Sequence, residues 1–170
     1  MPQPPLFRLT QDEILVYDTT HNGYFFAHDI YEEWALNKTV GRCFANCSDA
    51  IDFFNQLGNS LPMRRAYRMW LSDQLLEKNN ALEDSIYETF ISKDIPQFWK
   101  DELLISILLS DYSDLFFESY ENEIKANNYE MLKRMLFLLN IACTVISSNA
   151  TFDSFEPKGN GWGTAISFIY

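Results

Sequence analysis

His28 and Asp29 stand side by side where the apolar run Tyr24-Phe25-Phe26-Ala27 gives way to Ile30-Tyr31-Glu32-Glu33-Trp34-Ala35-Leu36. An imidazole at a helix N-terminus can donate to a phosphate, and a carboxylate there can accept from the helix's free N–H groups. Two readings follow: a phosphate-reading His28 with Asp29 as the helix cap, or a cap alone with His28 satisfied by a backbone carbonyl. Arg64, Arg65 and Arg68 form a second group, a basic stripe at i, i+1 and i+4. The stripe can contact a phosphate or an acidic partner, or it can be a solvated face paired with Asp and Glu. A phosphate sensor works with a phosphate-binding loop, and the chain contains no G-x-x-x-x-G-K-[ST]. Gly159, Gly161 and Gly163 miss the G-x-G-x-x-G spacing at Thr164, and no strand is expected before them, so they read as a flexible turn.

Other chemistries have less support. Cys43, Cys47 and Cys143 are an odd set, and a zinc site would need further ligands from His21 and His28 at no recognised spacing, so buried thiols are expected. Carboxylates gather at Asp29, Glu32 and Glu33 and at Asp111 and Asp114. Helix surfaces produce such groups routinely, and no nucleophile, base and orienting residue accompany them.

The elements that must position these residues change period near position 28. Glu13 to Asp18 and Tyr24 to Ala27 read as two strands joined by a turn at Thr19-Thr20-His21-Asn22-Gly23. From Asp29 the pattern is helical, with Ile30, Trp34, Val40 and Phe44 near one stripe and Gly41 as a weak spot. Ala50 to Leu57 is a shorter helix closed by Gly58, and Ser60-Leu61-Pro62 opens the next, from which Ala66, Met69, Trp70 and Leu71 can face inward. Further helices are expected at Ala81 to Ile91, Pro96 to Ser110, Leu115 to Lys125 and Tyr129 to Ile146. The fold class is mainly α: an N-terminal β-hairpin followed by an antiparallel helical array, α-solenoid-like but without a repeat period.

Residues 24–36 resemble the end of the winged-helix domain in signal-transduction ATPases with numerous domains (STAND ATPases), where a hydrophobic residue, His and Asp precede an aliphatic residue and an acidic-aromatic helix. Ala27 stands where Met or Thr is usual. Leu61 to Leu75 looks like the first helical segment after that domain, so the resemblance covers roughly residues 13–75. It implies that His28 senses the phosphates of ADP; Asp29 as its helix cap and Arg64, Arg65 and Arg68 as a candidate contact stripe are read from the residues themselves. It also implies no cofactor for this chain in isolation, with ATP or ADP only when joined to a P-loop domain. The partner would be that N-terminal ATPase domain or another protein. The resulting division is a winged-helix remnant with its linking helix over 1–46, a helical array over 47–150, and a loop with a truncated apolar segment over 151–170. The abrupt start at a hairpin and the apolar end suggest a piece of a longer regulator.

Composition bounds the rest. Hydrophobic residues make up 47% and aromatics 16%, enough for a packed core. A net charge of −11 argues against nucleic acid, whose phosphates call for a basic face. No segment reaches the about 18 clean apolar residues of a membrane span, and a reducing cytoplasm suits the three cysteines. The expected role is a non-catalytic coupling or interaction segment. Its rivals are a stand-alone helical module that binds a peptide or protein and a hydrolase built on clustered carboxylates.

Overall fold

The computed structural model describes residues 5–77, 80–147 and 154–170. Helix α1 (Pro5–Gln11) leads into strands β1 (Leu15–Asp18) and β2 (Gly23–Phe26), which pair antiparallel with Leu15 opposite Phe26 and Tyr17 opposite Tyr24. The turn is held by Asp18, which accepts from the Thr20 amide at 2.7 Å and from the His21 ring, while Tyr17 bonds Asn22. Sequence reading finds this hairpin but not α1, where Pro5 takes the first helical position that proline tolerates.

Helices α2 (Asp29–Asn46), α3 (Ala50–Leu57), α4 (Leu61–Leu76), α5 (Asn80–Ile91) and α6 (Gln97–Leu109) follow, close to their expected spans. Their ends obey the local signals. The Asp49 side chain accepts from the Asp52 amide at 2.8 Å, Ser60 Oγ accepts from Met63 at 3.4 Å, and Gly58 closes α3 at φ 75°. Gly41 is no mere weak spot: a Cβ there would meet Trp70 Nε1 at 3.3 Å, so its small size lets α4 come close.

The even-numbered helices stack in order, α2 on α4, α4 on α6 and α6 on α8 (Glu121–Ala142). Beside them α3 packs on α5, and α7 (Ser113–Ser119) packs on α6 and α8. Helix α6 is buried on nearly every side through Trp99 and Leu103 to Leu108, as expected of a helix apolar all round. Phe44, Phe53, Phe54, Tyr67, Trp70 and Trp99 join the α2, α3, α4 and α6 faces with ring centroids 4.8–6.1 Å apart.

The C-terminal third departs from expectation. Helix α7 ends at Ser119 and a new helix opens at Glu121, inside the expected Leu115 to Lys125 span, while the expected gap is present within α8, whose backbone leaves helical geometry at Ala126 and is left-handed at Asn127, Asn128 and Tyr129 (φ 49°, 57° and 60°). The helix expected to reach Ile146 stops at Ala142, and β3 (Thr144–Ser147) pairs with β4 (Ser154–Pro157). β-Branched Thr144, Val145 and Ile146 suit a strand better than a helix end. Residues 164–170, readable as a strand or an apolar helix start, take the helical course in α9 (Gly161–Ile169), which begins inside the loop expected over 157–163 and whose Ala165 joins the main core.

Candidate functional site

The feature that separates the two ends of the molecule is burial. None of residues 5–39 is buried, and Val40 is the first that is. This N-terminal arm of α1, the hairpin and the first turns of α2 nevertheless exposes Leu6, Phe7, Val16, Tyr17, Tyr24, Phe25, Ile30 and Trp34. The pairing register puts Val16 and Phe25 on one face of the hairpin and Leu15, Tyr17, Tyr24 and Phe26 on the other. Both faces are apolar, the pattern of strands covered on two sides, yet the central four residues are 43–50% exposed. Ile30 and Trp34, expected on the packing stripe with Val40 and Phe44, are 68% and 64% exposed, whereas Val40 is buried.

His28 is the N-cap residue of α2, with extended backbone (φ −138°, ψ 140°) and an exposed side chain that makes no capping hydrogen bond. Asp29 is therefore not the cap. It is the first helical residue, where its charge faces the positive end of the helix dipole without a capping hydrogen bond. His28 opens onto a broad 620 Å³ cleft with Thr10, Glu13, Val16, Tyr17 and Tyr24, in which it is the sole cation-forming side chain.

The three arginines do not act as one stripe. Arg64 lies 4.2 Å from the Phe98 ring centre and donates to Asn59 Oδ1 at 2.6 Å. Arg68 places Nε 2.8 Å from Glu102 Oε2, a charge contact without hydrogen-bond alignment. Both are spent on anchoring α4 to its surroundings. Arg65 alone turns to the other side, into a 310 Å³ cleft between α2 and α4 lined by Asp29, Glu32, Glu33, Leu36, Pro62, Ala66 and Met69. Thus the structure brings Asp29 and Arg65 together and leaves His28, Arg64 and Arg68 elsewhere. Met69, expected to face inward, is 39% exposed at this cleft. The sequence signal for the arm was the lack of alternation in Leu15-Val16-Tyr17 and Tyr24-Phe25-Phe26.

The strongest electrostatics lie in the body. Burial pushes the Glu102 carboxyl up despite Arg68 and Arg64 beside it. Burial also acts on Asp101, but hydrogen bonds from Arg134 and Gln97 outweigh it and hold that carboxyl below its usual range. Both groups brace α6 against its neighbours.

The glycine-rich segment is no phosphate loop. A strand, β4, does precede it, but a Cβ on Gly159 or Gly161 would stand 2.6 Å or 2.7 Å from the backbone of Leu109 or Leu108, so it lies flush on the end of α6. Asn160 donates to Asp111 at 2.6 Å and Trp162 Nε1 to the Cys143 carbonyl at 3.0 Å. This is a docked joint and not a flexible turn.

No protein-family model matches the chain, and no curated protein matches it. Among the described residues no group of three or more His, Cys, Asp or Glu is placed to hold a metal ion, and no helix is long and apolar enough to cross a membrane.

Proposed function

We propose that this chain is a non-catalytic helical segment that docks a protein partner through its N-terminal arm and couples that contact to the helical array. The observation that carries the reading is an arm apolar on both hairpin faces and buried nowhere from Pro5 to Thr39. A lone two-stranded hairpin is marginal in water, and a contiguous apolar surface of this kind marks an interaction site. The STAND-like form of the proposal makes the partner a P-loop ATPase domain, with ATP or ADP bound by that domain. The exposure of His28 beside an open cleft favours it, since a phosphate reader must face its nucleotide. Three free cysteines suit a cytoplasmic setting.

The test places a photo-crosslinking residue at Phe25 and, as a control, at Leu76, which is 71% exposed on the helical body. A discrete adduct from position 25 that Val16→Lys abolishes, with none from position 76, supports the arm. Identical adducts from both positions, or none from 25, overturn it. Calorimetry with ADP on the chain alone and joined to its captured partner then separates the two forms. Nucleotide binding only in the joined form supports coupling, and binding by the chain alone refutes the absence of a nucleotide site.

A further inference from the structure

We infer that the cleft between α2 and α4 receives a lysine- or arginine-bearing amphipathic segment of the protein partner; the inference rests on the arm being an interaction surface and names the chemistry of its partner. The cleft is continuous with the arm, because Asp29, Glu32 and Glu33 belong to the same exposed turns of α2 as Ile30 and Trp34. Its interior is apolar: Ala66 is buried and Leu36 half-buried, with Pro62 and Met69 at the sides. Its mouth carries three carboxylates against the single guanidinium of Arg65.

Among the described residues the ion pairs are Asp18–His21, Glu102–Arg68, Glu121–Lys125 and Asp101–Arg134, so none involves Asp29, Glu32 or Glu33. Lysine and arginine lay aliphatic stems along apolar surface while keeping the charged head outside. A stem against Leu36 and Met69 would bring its cation to the carboxylates. The wider arm has the same sign, with Asp12, Glu13, Asp18, Asp29, Glu32 and Glu33 against Arg8 and Lys38.

The charge also selects among occupants. A second copy brings another −11 to the contact, with Arg64 and Arg68 already engaged on α4. Anionic lipid and nucleic acid are repelled by the same field. A basic protein segment is attracted by it, and complementary charge would raise its association rate.

Two synthetic helical peptides with one leucine pattern, carrying lysine or glutamate at their polar positions, serve as probes in fluorescence anisotropy with the full chain. The lysine peptide binds and the glutamate peptide does not. Asp29→Asn with Glu33→Gln weakens the lysine peptide about tenfold, and Met69→Asp weakens it as well through the apolar wall. Asp84→Asn with Glu118→Gln removes equal charge from exposed positions outside the cleft and changes affinity less than about twofold, as screening of distant charges requires. Equal weakening by both double variants, binding of both peptides, or binding of neither overturns the assignment. Crosslinking from Phe25 is read in parallel. A Phe25 adduct that persists while the peptides ignore the cleft sinks the cleft and leaves the arm; loss of both sinks the proposed function as well.

Discussion

Gly161 lies so close to Leu108 that a methyl group in place of its hydrogen would stand 2.7 Å from the Leu108 carbonyl oxygen and 2.9 Å from its Cα. Gly159, one residue before Asn160, meets Leu109 Cα at 2.6 Å and sits at φ 77°. Neither backbone can yield without moving the end of α6. Gly159→Ala and Gly161→Ala should each lower unfolding free energy by about 2 kcal/mol or more, the scale of overpacking and backbone strain. Gly163 has nothing within 4 Å and lies in α9, so Gly163→Ala should stabilise by up to about 1 kcal/mol. Urea denaturation of the three variants checks the order.

The left-handed break in α8 offers a second test. Tyr129 at φ 60° is a bulky side chain in a region that disfavours one, and Asn128 at 57° is better suited to it. Asn128→Gly should raise stability by about 0.5 kcal/mol, and Tyr129→Val should lower it by about 1 kcal/mol, since β-branched residues fit that region worst. Stability changes of the same sign in both variants would count against the break.

Adjacent Asp101 and Glu102 should titrate in opposite senses. The lowered Asp101 carboxyl contributes stability that is present above its ordinary value and lost as pH falls through its folded value. The raised Glu102 carboxyl favours the protonated protein, so its contribution is present below the ordinary glutamate value and lost as pH rises through the folded one. Asp101→Asn should therefore destabilise at neutral pH and converge on the parent in acid. Glu102→Gln should gain relative to the parent as pH rises from acid to neutral. Melting curves over that range distinguish the pair.

Much of this body could be read from sequence, and the reason is local. Ser60 and Gly58 declare helix ends by chemistry within a few residues, and the turn at Thr19 to Gly23 does the same for the hairpin. What sequence left hidden depended on distant neighbours. Ile30 and Trp34 share a helical stripe with Val40 and Phe44, and only the position of the packed helices decides which half is covered. The arginines likewise form a stripe on paper, but Phe98 and Glu102 on α6 draw Arg64 and Arg68 away from Arg65. Gly159 and Gly161 read as freedom of movement until α6 is found beneath them.

The arm and the body should respond differently to truncation. Phe25→Lys and Trp34→Glu act on exposed side chains and should change unfolding free energy by no more than about 0.5 kcal/mol. Trp99→Ala, at 1% exposure, should cost about 3–5 kcal/mol. An arm variant that unfolds the body would contradict the burial pattern.

Thiol reactivity supplies a further check. Burial pushes the Cys143 thiol up to about 11, against a small opposing effect from Lys158. Alkylation of the native chain near pH 8 should modify Cys143 last, after partly exposed Cys43 and Cys47, because only the thiolate reacts. Early loss of Cys143, followed by peptide mapping, would show that the end of α8 opens readily.

The stacking of α2 on α4, α4 on α6 and α6 on α8 keeps packing partners close along the chain. Each pairing skips one intervening helix, a moderate separation, and mainly helical folds assemble quickly because much of their contact is local to the helices. No residue of the arm is buried and Leu36 only leans on the main core, so the body can finish folding before any partner arrives. A newly made chain would then meet its partner as a completed scaffold with a waiting arm, and association would follow folding instead of rescuing it.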